Sequence, residues 1–192
     1  MLDFKLSIKQ LSSENRQDFY AVHRAGEYTD FCLCGYWWVP NSDGWSERTE
    51  QEAIAQREDL FSRKISDGYL LYKDNQPVGW CQVYQRDELP NLVNTFKFDP
   101  DADVWCIGCF MIIPEMRGMG LACRFFAMML VDLQDRGIRK IQAYPKTQSG
   151  LSANEVWTGP TSLFQKAGFK FISEQSGRAV WELNLPGSVL YE

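Results

Sequence analysis

Arg117-Gly118-Met119-Gly120-Leu121-Ala122-Cys123 follows an apolar run that closes at Pro114. Proline cannot continue a strand ladder, and beyond the glycines the sequence becomes helix-periodic, so the order is strand, glycine turn and helix N-terminus. Such a terminus presents unpaired backbone N–H groups and the positive end of the helix dipole, a ready site for a phosphate group. Glycine lets the anion come close to the main chain. Arg117 adds positive charge where the dipole is already positive, which is unfavourable by about 0.3–1 kcal/mol unless an anion lies between them. The alternative is a solvated arginine in a turn.

Two further groups could do chemistry. Cys106 and Cys109 form a C-x-x-C pair, but residues three apart on a regular strand face opposite sides, so a redox reading needs an irregularity between them. Gly108, in mid-strand, is where a bulge or a close approach by a ligand is expected. Upstream, Phe31, Cys32, Cys34, Tyr36, Trp37, Trp38 and Trp45 crowd a loop punctuated by Gly35, Pro40 and Gly44. So many aromatics in a connector suggest a second apolar cluster, the wall of a pocket, or both. Cys32 and Cys34 could share a face of an extended segment. A structural metal site takes about four ligands and no matching Cys/His pair is evident, so no metal is expected. His23 is the only histidine, and a lone histidine on a helix is more often packed than catalytic.

The elements that must position these residues follow from periodicity. Phe4, Leu6 and Ile8 alternate with polar residues as in a half-buried strand. Helices are expected from Ser12-Ser13 onward and from Ser46 to about Asp67-Gly68. Tyr69–Tyr72 and Val78–Tyr84 flank a turn and read as an antiparallel hairpin. Gln85 to Asp103 is polar and reads as a surface connection. Val104 to Ile113 is apolar on both faces, as in a central strand. Leu121, Phe125, Met128, Met129 and Leu133 mark one face of a long helix closed by Gly137. Lys140–Tyr144 then completes a βαβ crossover. A short helix through Leu163 and Phe164 and two last strands, around Phe169–Ile172 and Ala179–Leu183, end the chain.

Composition narrows the field. At 192 residues, with 45% hydrophobic and 14% aromatic content, the chain suits one domain with a substantial core. Its formal charge of −5 and lack of a basic run argue against nucleic acid. No stretch is long and apolar enough to span a membrane and no signal peptide is evident, so a cytoplasmic location is expected. Its six cysteines then read as reduced.

This order of elements resembles the GCN5-related N-acetyltransferase (GNAT) superfamily over nearly the whole chain. Arg117–Ala122 is similar to that family's Arg/Gln-x-x-Gly-x-Gly/Ala pyrophosphate loop, and Leu163-Phe-Gln-Lys-Ala-Gly-Phe169 to its "LYxKxGF" segment. The Cys/Trp-rich loop, Val78–Cys81 and Trp105–Phe110 resemble a poorly characterised branch. The resemblance implies an α+β fold: a mixed, mostly antiparallel sheet flanked by about four helices around a βαβ acyl-CoA-binding core. It implies a single N-acetyltransferase domain over 1–192, with 12–66 as helices and acceptor-side loop, 104–145 as the acetyl-CoA core and 159–185 as the C-terminal helix and strands.

Function is implied in the same way: an acetyl-CoA-dependent transferase moving acetyl to a primary amine of a small molecule or peptide by direct attack. A non-catalytic acyl-CoA-binding or sensing domain is the alternative, and a homodimer is among the states allowed. The N–H groups of Gly118 through Cys123 would hold the pyrophosphate, and the main chain of Phe110, Met111 and Ile112 would pair with pantetheine. A backbone N–H near Ile112 would polarise the thioester carbonyl. Tyr36, Trp37, Trp38 and Trp45 would border the acceptor, with aromatic faces for an apolar or cationic group.

The family's proton-donating tyrosine falls on Phe164, which has no proton to give, and Cys106 lies roughly where some members carry an acid. Tyr144 and Cys109 are the candidates left for proton transfer, with Glu88 and Asp103 at the edges.

Overall fold

Seven strands, β1 (Leu6–Gln10), β2 (Gly68–Lys73), β3 (Gln76–Gln85), β4 (Val104–Ile112), β5 (Lys140–Ala143), β6 (Lys170–Gln175) and β7 (Arg178–Asn184), form one sheet. Their order is β1-β2-β3-β4-β5-β7-β6. The computed structural model describes residues 4–26, 32–152 and 155–186. Only β4 and β5 run parallel; every other neighbouring pair is antiparallel. That single parallel pair is what a helical crossover between the two strands produces. The helices are α1 (Arg16–Ala25), α2 (Glu50–Ser62), α3 (Pro90–Phe96), α4 (Leu121–Asp135) and α5 (Thr161–Lys166).

Both faces of β4 are covered. Ile107, Phe110 and Ile112 pack in one buried cluster with Leu121, Phe125, Phe126, Met129 and Leu133 of α4 and with Phe164 and Phe169. At about 1.5–3 kcal/mol for each large apolar side chain buried, this face fixes α4, and with it the glycine turn, against the strand. On the opposite face Cys109 and Met111 meet Phe19, Val22, Phe61 and Trp80.

The segment expected to be a plain surface connection, Gln85–Asp103, contains α3. Pro90 occupies the start of that helix, where a missing N–H costs nothing. Leu89, Leu92 and Phe96 turn inward and join Trp37, Cys106 and Tyr144. Polar residues on its outer side hid this short stripe. The Cys32–Cys34 stretch is also not extended: Leu33 and Cys34 have φ of 41° and 50°, which makes a turn of left-handed backbone. Phe31 lies outside the described residues.

Candidate functional site

The centre of the site is an irregularity in β4. The β3–β4 register passes from Gln82↔Cys109 to Val83↔Ile107, so Gly108 is the extra residue of a bulge. A Cβ at Gly108 would lie 2.5 Å from Gln82 Oε1 and 2.8 Å from Trp37 Cδ1, and the Trp37 indole N–H donates to the Gly108 carbonyl at 2.9 Å. Glycine is required because two side chains close on the backbone there. The bulge also resets the alternation, placing Cys109 and Met111 against α1 and α2, Cys106 against α3 and Trp37, and Ile107, Phe110 and Ile112 on the α4 side. Pairing of β4 with β5 stops at Ile107↔Ala143, so the later part of β4 leaves its parallel neighbour.

Along that later part the three main-chain positions differ. Ile113 N–H donates to Val78 O, and strict alternation then turns Met111 toward β3 and Phe110 and Ile112 toward the open edge. Phe110 N–H already donates to Trp157 O at 2.8 Å, while Ile112 O accepts from Arg117 Nε at 3.0 Å. Of the three, Ile112 faces the open edge with its N–H.

Downstream, Gly118 and Gly120 adopt φ of +76° and +73°, and nothing lies within 4 Å of a Cβ placed on either. The need for glycine is therefore conformational, and the space in front of the turn is open. No side chain caps the N-terminus of α4 and its first turn carries no acid, leaving the helix dipole uncompensated by the protein. An anionic group fits that terminus, with Leu121 buried beneath it and Cys123 exposed beside it.

On the other face of β4 lies a cavity of about 830 Å³. Cys109 and Met111 form its floor; Tyr20, His23 and Arg24 of α1, Cys32, Cys34, Tyr36 and Trp45 of the aromatic loop, Glu50 and Ile54 of α2, and Lys146, Trp157 and Arg178 form its walls. The volume falls within the range of small-molecule sites, about 300–1,000 Å³.

A line of proton-bearing groups runs into the cavity floor. His23 Nδ1 lies 2.9 Å from Phe19 O; a carbonyl only accepts, so Nδ1 carries the hydrogen. Nε2 is 3.4 Å from Cys34 Sγ, which also accepts from the Trp80 indole N–H at 3.0 Å. Burial, followed by hydrogen bonding with the Cys109 thiol, holds the Cys34 thiol well above the ordinary thiol range. Cys109, Cys34 and His23 thus form a chain of proton-bearing groups from the cavity into α1.

A buried polar network fixes the loop that carries Cys34 and Tyr36. Arg57 pairs with Asp67 at 2.8 Å, both side chains almost wholly enclosed, and gives its remaining donors to Leu33 O and Cys34 O. Asp67 Oδ2 accepts from the Trp38 indole at 2.9 Å and from Gln82 Nε2 at 3.0 Å; the same Gln82 amide reaches Cys34 O. Guanidinium geometry lets one residue tie down two carbonyls and a carboxylate together, which holds the left-handed turn in place.

The structure separates the residues singled out in sequence. Tyr36, Trp45 and Cys109 line the cavity; Trp37 and Trp38 do not. Trp37 is buried as the clamp on Gly108, and Trp38 turns to Asp67 and Tyr84. Tyr144 lies away from the cavity: it is fully buried beside Phe96, its hydroxyl donates to Gln142, and burial raises its pKa far above the usual phenol range. A proton donor to a substrate in the cavity needs access that this position lacks. Phe164 is wholly enclosed between Phe126 and Phe169.

His23, Cys34, Lys146, Trp157 and Arg178 entered the site without a usable signal. They come from four separate segments, and only tertiary packing brings them to one cavity. Among the described residues no group of three or more His, Cys, Asp or Glu side chains is arranged to hold a metal ion, and no helix is long and apolar enough to cross a membrane.

Comparison with known proteins follows from this geometry. A search of curated proteins finds no significant match in sequence. Solved structures do align over almost the whole chain. An aminoglycoside acetyltransferase in complex with coenzyme A superimposes with a TM-score of 0.60 at 17% identity, covering 94% of this chain and 95% of that one. The PaiA N-acetyltransferase from Thermoplasma acidophilum in complex with coenzyme A gives 0.54 at 14% identity, covering 94% and 99%. The ribosomal-protein-S18-alanine N-acetyltransferase from Escherichia coli gives 0.55 at 12%, covering 98% and 100%. At these identities the likeness shows the fold. The model of the acetyltransferase (GNAT) family matches residues 17–158, which include α1, the aromatic loop, the bulged strand and the glycine turn. The chain therefore belongs to the acetyltransferase (GNAT) family, enzymes whose acyl donor is acetyl-CoA.

Proposed function

We propose that this chain works as one domain that transfers the acetyl group of acetyl-CoA to a primary amine of a small molecule or peptide bound in the cavity. One observation carries this reading: the uncapped glycine turn and the cavity lie at opposite faces of the same strand segment, where β4 has parted from β5. A donor held at the turn and along the β4 edge would bring its thioester to Cys109, at the cavity floor.

The N–H groups of Gly118 through Cys123 hold the pyrophosphate, which takes the place of a helix cap. Ile112 offers its N–H at the open edge to the thioester carbonyl oxygen and stabilises the charge that grows there. Pantetheine meets Phe110 only by replacing the Trp157 carbonyl that now occupies its N–H. When bound, acetyl-CoA supplies the activated carbonyl carbon. As the amine nitrogen bonds to that carbon the carbon–sulfur bond breaks, and the proton lost by nitrogen equals the proton gained by sulfur. Cys109 can relay it, with Cys34 and His23 behind it to restore the thiol. Confinement of the two reactants supplies the larger part of the rate, since neither a tyrosine nor a carboxylate stands where the family often has one.

Release of CoA thiol from acetyl-CoA with a panel of amines tests this. The expected result is turnover with at least one primary amine, and a lower kcat in Cys109→Ala with acetyl-CoA KM unchanged. Tight acetyl-CoA binding with no turnover by any amine would leave the non-catalytic acyl-CoA sensor as the better reading.

A further inference from the structure

Charge in the cavity runs against the charge of the chain. The whole sequence carries a formal −5, yet among the described residues the cavity wall holds the cations Arg24, Lys146 and Arg178 and the carboxylate Glu50. Among the described residues none of these three cations stands within ion-pair distance of an acid. Arg178 is the most telling. It projects from the first residue of β7, half-buried, with its guanidinium 4.8 Å from the Trp157 ring centre and 5.6 Å from that of Trp37.

Arg178 Nη1 donates to Tyr144 O at 3.0 Å and to Thr158 Oγ1 at 3.1 Å. These two bonds and the aromatic faces set the plane of the fork, and among the described residues no other acceptor takes its remaining N–H groups. Burial lowers its pKa, showing that the charge is held at a cost in solvation. A desolvated cation with a rigid, half-satisfied fork at a ligand-sized cavity is the arrangement that receives a planar oxyanion.

Several of the aromatic faces meet the protein's own cations. Arg178 covers Trp157 and Trp37, and Arg48 lies 4.5 Å from the ring centre of Trp45. Of the four rings expected to border the acceptor, Trp37 and Trp45 thus already meet a cation of the protein, while Tyr36, at the cavity, has none over it among the described residues.

We infer that the acceptor carries an anionic oxygen group, a carboxylate or a phosphate, which Arg178 grips with Arg24 and Lys146 while the amine end reaches Cys109. The substrate class is therefore amino acids, acidic peptides or amino-phosphates rather than polyamines or aminoglycosides. This rests on the acetyl-transfer reading for the role of the site, though not for the existence of the anion site.

The test uses matched pairs on the CoA-loaded protein: L-amino acids with their amides, and O-phosphoethanolamine with ethanolamine. Binding is followed by tryptophan fluorescence, which Trp45 and Trp157 report, and turnover by CoA-thiol release. The expected result is binding at least about tenfold tighter for the charged member of one of the two series, as charge-assisted hydrogen bonds give. Arg178→Gln should erase most of that ratio and Arg178→Lys should keep more of it. Arg24→Gln, at an exposed position, should reduce it several-fold with no effect on folding. Equal binding of charged and neutral members, failure of every charged member to bind, or a ratio indifferent to both the Arg178 and the Arg24 change would overturn the inference. Turnover of neutral amines alone would refute the anion site and keep the acetyltransferase; binding of charged members without CoA release would do the reverse.

Discussion

Replacing Arg57 by methionine isolates the buried network that holds the cavity wall. The substitution roughly conserves the aliphatic length and removes the charge, the guanidinium that lies over Phe19 and Phe61 and the five N–H donors. Asp67, wholly enclosed, is then left with two neutral donors, the Trp38 indole and the Gln82 amide, and Leu33 O loses both of its arginine bonds. Breaking a buried ion pair from one side costs about 3–5 kcal/mol. At about 2–4 °C per kcal/mol for a chain of this size, Tm should fall by about 6–20 °C. Arg57→Lys should recover little, because a point charge cannot span two carbonyls and a carboxylate at once. Arg16→Gln is the control: its pair with Glu58 is 44% and 41% exposed, and such surface pairs contribute about 0–1 kcal/mol. Calorimetry at one pH and salt compares the three. The variant protein, assayed below its own Tm, should show a raised acceptor KM and an unchanged affinity for acetyl-CoA, since among the described residues no hydrogen bond or ion pair joins the glycine turn to this network. A Tm within about 2 °C of wild type, or an acetyl-CoA affinity that falls in step with acceptor KM, would refute this reasoning.

Other expectations follow from single contacts. Gly108→Ala forces Gln82 and Trp37 apart against a backbone carbonyl, and overpacking of this kind costs about 1–3 kcal/mol, read by denaturant unfolding. Gly120→Ala meets no atom but keeps an unfavourable φ of +73°, at about 1–2 kcal/mol; acetyl-CoA KM should rise while acceptor KM stays. Cys123, exposed in the first turn of α4, should react fastest with iodoacetamide, and acetyl-CoA should slow its modification as read by mass spectrometry. Alkaline stability should be poor. Burial pushes the Cys32 thiol up to about 12 and raises Cys34, Cys81 and Cys106 as well, whereas unfolded thiols ionise near 9.0. The unfolded chain then holds fewer protons between about pH 9 and 12, so stability falls as pH rises through that window, by up to about 1.4 kcal/mol per pH unit for each thiol. Cys81→Ala should shallow that slope, and a flat stability from pH 9 to 11 would contradict it.

The features legible along the chain are local and periodic. The strand–glycine turn–helix unit was legible because Pro114, Gly118 and Gly120 punctuate it and α4 repeats its apolar residues at helical spacing. The bulge at Gly108 was legible because glycine in a buried strand needs a reason. The family followed from the order of such units. Helix α3 escaped because its apolar stripe, Leu89, Leu92 and Phe96, is too short to rise above polar neighbours. The acceptor side was decided by tertiary structure alone. Four neighbouring aromatics look alike in sequence, yet Trp37 and Trp38 are turned inward by one carbonyl and one carboxylate, while Tyr36 and Trp45 face the cavity. His23, Cys34 and Cys109 become a chain, and Arg178 joins Trp157, only because strands and helices distant in sequence pack on the same face of β4. Periodicity reports which side of an element is buried; it carries no information on which other element will cover that side, and the chemistry of this cavity is made by that second choice.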